Sequence, residues 1–178
     1  EPDDHLTSIR FYSWHRVLQR KDHRVLDAQE RLERDSGDLQ AHWIMARYAY
    51  SMDDGERSLQ HLAYLEEQSP SPSVYLQLGR ALRRLGRHQE ESEAYEKALA
   101  TSPDSPVLLG AQAVALARLG RFSESEPHFL RLQRSLEPGA YHYMVEAKLN
   151  MIQGRSKHAL YSLDEALRHR DNLTEDLK

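Results

Sequence analysis

The stretch Arg84-Leu85-Gly86-Arg87 returns as Arg118-Leu119-Gly120-Arg121 and again, in shortened form, as Gln153-Gly154-Arg155. The three glycines stand at 86, 120 and 154, so each step is 34 residues. Before and after each glycine the apolar residues are spaced as on one face of a helix. Glycine enters left-handed backbone without the strain a side chain brings, and cations beside it suit a helix end. Each phrase therefore reads as a helix stop and chain reversal. Three copies in step predict an array of helical hairpins.

Working outward, the same reading extends in both directions. Residues 72–85 and 88–101 form one predicted hairpin, closed by Ser102-Pro103; 106–119 and 122–135 form the next, closed by Glu137-Pro138-Gly139. A further pair, 140–153 and 156–169, leaves a polar tail. Upstream, a helix from Leu39 carries Trp43, Ile44, Ala46, Arg47 and Tyr50; Met52-Asp53-Asp54-Gly55 makes the turn. Leu59, Leu62, Ala63 and Leu65 belong to the partner helix, which Ser69-Pro70-Ser71-Pro72 ends because proline disfavours helix in the residue before it. A first pair is expected from Leu6, Ile9, Phe11, Trp14 and Leu18, with Asp4 as N-cap, and from Val25, Ala28 and Leu32. No segment alternates long enough to be a strand, so the fold class is all-α.

Composition narrows the function. The chain has 178 residues, 24 basic and 28 acidic side chains and a net charge of -4, which argues against a phosphate-neutralising nucleic-acid binder. There is no cysteine, so disulfides, thiolate metal sites and a cysteine nucleophile are excluded. That leaves either cytoplasm or periplasm open as the location. Glu1 in place of an initiating methionine reads as a processed chain or soluble fragment. The longest apolar run, Val107 to Ala117, is interrupted by Gly110 and Gln112, and it predicts a buried helix rather than a membrane span. The ten histidines contain no i, i+4 pair and no His-Glu-x-x-His, so neither a catalytic nor a metal role is expected. His42 and His142 each precede an aromatic residue and read as surface positions. Asp53-Asp54-Gly55-Glu56 lacks the spacing of a calcium loop and reads as a turn. No cofactor is expected and no enzyme activity.

The third pair resembles the tetratricopeptide repeat family. The likeness lies in Leu78-Gly79, Leu82, Gly86, Ala94-Tyr95-Glu96-Lys97-Ala98-Leu99 and Pro103, is closest over 72–105, continues through 106–170, and is partial over 39–71. It implies a right-handed α-solenoid of about five hairpins forming one superhelical domain over 1–178. Its divisions are 5–38 (degenerate hairpin), 39–71, 72–105, 106–139, 140–171 and a tail, 172–178. Gly79 is expected where paired helices approach closely, with Ala113 and Ala147 equivalent. Tyr95, Phe129 and Leu163 should fill the gaps between helices, while Ala98, Leu132 and Ala166 should touch the next hairpin. Glu91 and Ser125 depart from the family, which prefers a small residue there; only Ala159 conforms. Gly55 to Gly86 is 31 residues rather than 34, so the second pair is compressed.

The resemblance also implies a non-enzymatic scaffold or adaptor whose first helices line a concave groove for a peptide or helical segment of a partner protein. Carried over in step, the groove positions are Ile44 and Tyr48; Ser73, Leu76, Arg80 and Arg83; Val107, Gly110, Val114 and Ala117; and Tyr141, Met144, Lys148 and Met151. Methionine, tyrosine and small residues suit an amphipathic or extended apolar segment, though the same side chains could pack the helices together. Gly110 is ambiguous in the same way, between a pocket for a partner side chain and close packing of neighbouring helices. Family members that grip a C-terminal carboxylate use lysines with asparagines. Here only Asn150 and Asn172 occur, and neither is a groove position. The run Arg80, Arg83, Arg84, Arg87, with Arg118 and Arg121, could receive an acidic segment or simply complement helix ends. Ala159, Leu160, Leu163, Ala166 and Leu167 lack a following hairpin, so a homo-oligomer formed through the end helices is the alternative.

Overall fold

The computed structural model describes residues 23–135 and 139–169. Among them are nine α-helices and no strand. The expected helix around Leu6 to Leu18, with its Phe11 and Trp14 edge, lies outside the described residues, as do Glu137-Pro138 and the tail 172–178. Helix α1 is described over 23–34. Then follow α2 (Leu39–Ser51), α3 (Gly55–Gln68), α4 (Pro72–Arg84), α5 (His88–Thr101), α6 (Pro106–Arg118), α7 (Phe122–Ser135), α8 (Ala140–Ile152) and α9 (Ser156–Arg168). Each boundary from residue 72 onward falls within one residue of its sequence expectation. The chain is an all-α helical repeat solenoid.

The hairpin turns share one geometry. Gly86, Gly120 and Gly154 have φ of 72°, 73° and 72°. The amide after each glycine donates back five residues: Arg87 to Leu82 O at 3.0 Å, Arg121 to Leu116 O at 3.0 Å, Arg155 to Asn150 O at 2.8 Å. These bonds satisfy carbonyls that the helix end leaves orphaned. In the α2–α3 turn the left-handed residue is Asp53, with φ 63°, and Asp54 N–H donates to Ala49 O at 2.9 Å. Gly55 is therefore the first residue of α3, not the residue of the reversal. Measured between left-handed residues, at 53, 86, 120 and 154, the steps are 33, 34 and 34. The compression is one residue, because aspartate is among the few side chains that tolerate this backbone.

Helix starts follow from the sequence too. Asp38 and Asp54 accept from Ala41 N–H at 2.9 Å and Arg57 N–H at 3.0 Å. Ser71 caps α4 through Val74 N–H at 3.3 Å, with Pro72 opening the helix.

The chain divides into two compact units, Glu1–Ser69 and Pro70–Lys178, parted within Ser69-Pro70-Ser71-Pro72. In the first, Val25, Ala28, Ala41 and Met45 form a small core, with Leu32, Ile44 and Tyr48 packed against it. In the second, α5 to α8 share a core of Ala98, Leu99, Leu108, Leu109, Val114, Ala117, Leu132, Val145 and Leu149. Leu76, Phe129 and Tyr141 lean against it half-buried.

Candidate functional site

Of the first helices of the second unit, α6 packs against α8, and α4 reaches the shared core through Leu76. Leu76 of α4 packs on the core that Val114 and Ala117 of α6 help to form. Gly110 sits where α6 and α8 come closest. A Cβ there would lie 2.6 Å from Tyr141 Oη and 2.8 Å from Val145 Cγ2. The Tyr141 hydroxyl crosses the gap and donates to Val107 O at 3.0 Å. Burial pushes the pKa of that hydroxyl up to about 12. The pocket considered for Gly110 is thus already filled by Tyr141, and close packing accounts for the glycine.

The remaining groove positions divide by exposure. Val114 and Ala117 are buried, at 4% and 1% exposure, so α6 spends them, with Gly110, on its neighbours. Ser73, Lys148 and Met151 are exposed, while Leu76, Arg80, Arg83, Val107, Tyr141 and Met144 are half-buried. Ile44 and Tyr48 are half-buried against the core of the first unit.

The basic run splits according to its partners. Arg87 hydrogen-bonds Glu90 at 2.7 Å and Arg121 hydrogen-bonds Glu124 at 2.7 Å; each arginine holds its carboxyl below the usual range. Arg118 reaches back from α6 to the buried Glu91 of α5 at 3.0 Å. That carboxylate also meets His88 Nδ1 at 3.1 Å. Arg80, Arg83 and Lys148 have no carboxylate partner among the described residues. Lys148 is exposed as a residue, yet partial desolvation of its ammonium, then the charges of Arg83, Arg118 and Arg80, hold it below its ordinary range. The same three guanidinium groups act on the buried Tyr95 hydroxyl, which burial and Glu91 push up. The charges of Arg80, Arg83 and Arg118 thus act on both Lys148 and Tyr95.

The two departures from the family pattern are resolved by the same geometry. Ser125 Oγ donates to Ala113 O at 2.7 Å, tying α7 to α6, just as Ser58 Oγ donates to Ala46 O at 3.0 Å. Glu91 stands in the matching place and uses its carboxylate to hold Arg118. Its role is invisible in the sequence because the partner lies 27 residues away. Gly79 behaves as expected, since a Cβ there would collide with the Tyr95 ring.

Two histidines differ from expectation. His142 is buried, its ring 5.4 Å from Phe129 and 5.5 Å from Tyr143, because α8 turns that face onto α7. His42 stacks on Tyr64 at 4.2 Å, and its Nδ1 lies 3.0 Å from His61 Nδ1. Among the described residues no group of three or more His, Cys, Asp or Glu is placed to hold a metal. Also among them, no helix is long and apolar enough to cross a membrane.

Two clefts occupy repeat-related places in the second unit. One, of about 160 Å³, is lined by Ser92, Glu96, Gln112 and His128 among others. The second, of about 410 Å³, is lined by Phe122, Glu126, Phe129, Glu146 and Arg155 among others.

The family model for the tetratricopeptide repeat matches residues 72–115. No curated protein matches the chain. Among solved structures, the chain is similar to a mutant form of MamA, at 21% identity and a TM-score of 0.58, covering 63% of this chain and 66% of that one. It is also similar to TTC0263, a thermophilic TPR protein of Thermus thermophilus, at 20% identity and a TM-score of 0.69, covering 90% of this chain and 88% of that one. A third is YrrB, described as a TPR protein with an unusual peptide-binding site, at 15% identity and a TM-score of 0.67, covering 92% and 84%.

Proposed function

We propose that this chain, whose residues 72–115 match the tetratricopeptide repeat model, works as a scaffold whose α4, α6 and α8 face docks a segment of a partner protein. The carrying observation is that Leu76 of α4 and Tyr141 of α8 lie half-buried against one core, while Arg80 and Arg83 of α4 act on Lys148 of α8 and none of the three has an ion pair among the described residues. Partly exposed apolar side chains supply area to bury, and the cations supply orientation. No constellation for catalysis accompanies them among the described residues. A photo-crosslinking residue placed at Ser73 or Met151, both exposed, is expected to trap the same partner protein from the native cell. Trapping nothing from either position would count against this face.

A second reading has its own observation. Leu160, Tyr161, Leu163 and Leu167 of α9 are 67%, 65%, 40% and 66% exposed, which is unusual for large apolar side chains clustered on one helix. A second copy of the chain would cover them, building a homo-oligomer. Light scattering across a concentration series distinguishes it: a mass that rises in the native chain and stays monomeric in Leu160→Glu supports assembly, and a constant monomer dismisses it.

A further inference from the structure

His42 of α2 and His61 of α3 stand face to face in the first unit, with their Nδ1 atoms 3.0 Å apart and ring centroids 5.1 Å apart. Their neighbours fix where the protons sit. His42 Nε2 lies 3.0 Å from the carbonyl of Ser36, in the turn before α2. A carbonyl only accepts, so Nε2 carries the hydrogen, and in the neutral ring Nδ1 is left as a lone pair. The Tyr64 ring stacks on His42 at 4.2 Å, with 21° between the planes, and keeps that lone pair turned to His61. The Nδ1–H of His61 donates to it.

An imidazole whose far N–H is held by a backbone carbonyl, with its near nitrogen offered as a lone pair, is arranged as metal-ligating histidines are. The second nitrogen stands at a fitting distance. Imidazole nitrogens bind divalent ions of this row at about 2.0–2.1 Å, so two of them 3.0 Å apart span about 90–100° at the ion. That is the angle between adjacent positions of a square-planar or tetragonal ion, narrower than the tetrahedral angle zinc prefers. A search for histidines at i, i+4 on one helix passes over this pair, which is 19 residues apart on two helices.

We propose that His42 and His61 form a two-histidine site for a divalent copper ion, which joins α2 to α3 through Nδ1 of each ring. Water completes the coordination, since no third His, Cys, Asp or Glu joins the pair among the described residues. As the ion arrives, the proton on His61 Nδ1 leaves to solvent and its Nε2 takes one up, so a neutral pair releases none on balance. Arg57 also acts on His61, and its own partner Asp54, at 3.8 Å, offsets part of that charge. The inference is independent of the docking reading, because every residue in it belongs to the first unit.

The test titrates the whole chain with Cu²⁺ alone, in a buffer that does not bind copper. Calorimetry gives the affinity, electron paramagnetic resonance counts the nitrogens on the ion, and paramagnetic broadening of NMR signals locates it. The tightest site is expected to take one ion per chain with two imidazole nitrogens, and signals around His42 and His61 should broaden first. His61→Gln keeps an amide that can donate to His42 Nδ1 but supplies no imidazole, so it should fold as the native chain does and weaken this site at least about tenfold. His42→Gln should weaken it likewise, while His158→Gln, at an exposed position of α9, should leave it unchanged. Circular dichroism checks that the variants fold; the broadening pattern of the native chain needs neither of them. Tight binding that survives His42→Gln or His61→Gln, broadening that begins on other helices, or no copper bound by the folded chain overturns the site.

Discussion

The junction between α5 and α6 and the junction between α7 and α8 occupy the same place in successive repeats, yet they are built differently. At the first, Gln112 Nε2 donates to Ser92 Oγ at 3.1 Å in a buried bond, and Arg118 crosses to Glu91. The cleft left beside them is small, about 160 Å³. Thirty-four residues on, Ser92 and Gln112 become Glu126 and Glu146, and Glu91 and Arg118 become Ser125 and Ile152. Two carboxylates now line a cleft of about 410 Å³, and Glu146 turns away to accept from Ser162 Oγ at 3.1 Å. Pro127 sits inside α7 at this junction, where it leaves the Ser123 carbonyl without its helical donor. The backbones of α7 and α8 scarcely approach, and α8 is held mainly by α6 and α9. Turn spacing can thus repeat faithfully while the contacts between repeats do not.

The comparison can be broken most forcefully at Glu91. Removing one member of a buried ion pair leaves its partner uncompensated, which costs up to about 3–5 kcal/mol when both are buried. Arg118 retains 25% of its side-chain exposure, so Glu91→Ala should destabilise by about 2–3 kcal/mol in urea unfolding. The change at the matching position, Ser125→Ala, removes one neutral hydrogen bond to Ala113 O within the α6–α7 hairpin and should cost only about 1 kcal/mol. Equal effects would mean that the Glu91–Arg118 pair contributes no more than that neutral bond.

Gly110→Ala attacks the contact that holds α8 to α6. The added methyl must displace Tyr141 and Val145, and overpacking of this kind costs about 1–3 kcal/mol. The check is a lowered Tm together with loss of slow hydrogen exchange in α8 before α6; uniform loss across both helices would contradict the picture.

Acid sharpens the comparison because each junction contains one histidine whose protonation burial disfavours. Burial lowers His128 at the first and His142 at the second from the ordinary 6.5. The unfolded chain therefore binds protons at a pH where the folded chain does not. This contribution to stability is complete above pH 6.5 and is lost as pH falls from 6.5 toward the lowered folded values, by at most about 1.4 kcal/mol per pH unit for each group. His142→Phe should flatten the slope in that window. An unchanged profile would show that His142 is as protonated in the fold as outside it.

The smallest effect should come from rebuilding the second junction in the image of the first. Glu126→Ser with Glu146→Gln removes two like charges and offers the bond seen between Ser92 and Gln112, for a gain of about 0.5–1 kcal/mol. A loss in denaturant midpoint would show that Glu146 is needed where it is, on Ser162.

Much of this architecture is legible in the sequence, and the reason is local. Gly86, Gly120 and Gly154 announce their conformation because few other residues adopt it, and Pro72, Pro103 and Pro106 mark helix limits through their own rings. What escapes a reading of the sequence depends on partners far away in the chain. Nothing around Gly110 says that Tyr141, 31 residues later, will lie across it. Nothing around Arg118 says that Glu91 will neutralise it while Arg80 and Arg83 go without. Asp53 hides behind Gly55, since the more permissive residue draws the eye although the helix cap needs the aspartate at 54. His142 reads as exposed because its neighbour Tyr143 is polar at one end, whereas α8 buries the histidine itself.

The action of Arg80 and Arg83 on Lys148 can be measured directly from the titration of the Lys148 ammonium, followed by NMR of a selectively labelled side chain. The account predicts a midpoint below the ordinary lysine value of 10.5, rising toward that value in Arg80→Gln, Arg83→Gln. A midpoint at the ordinary value that ignores both arginines would contradict it.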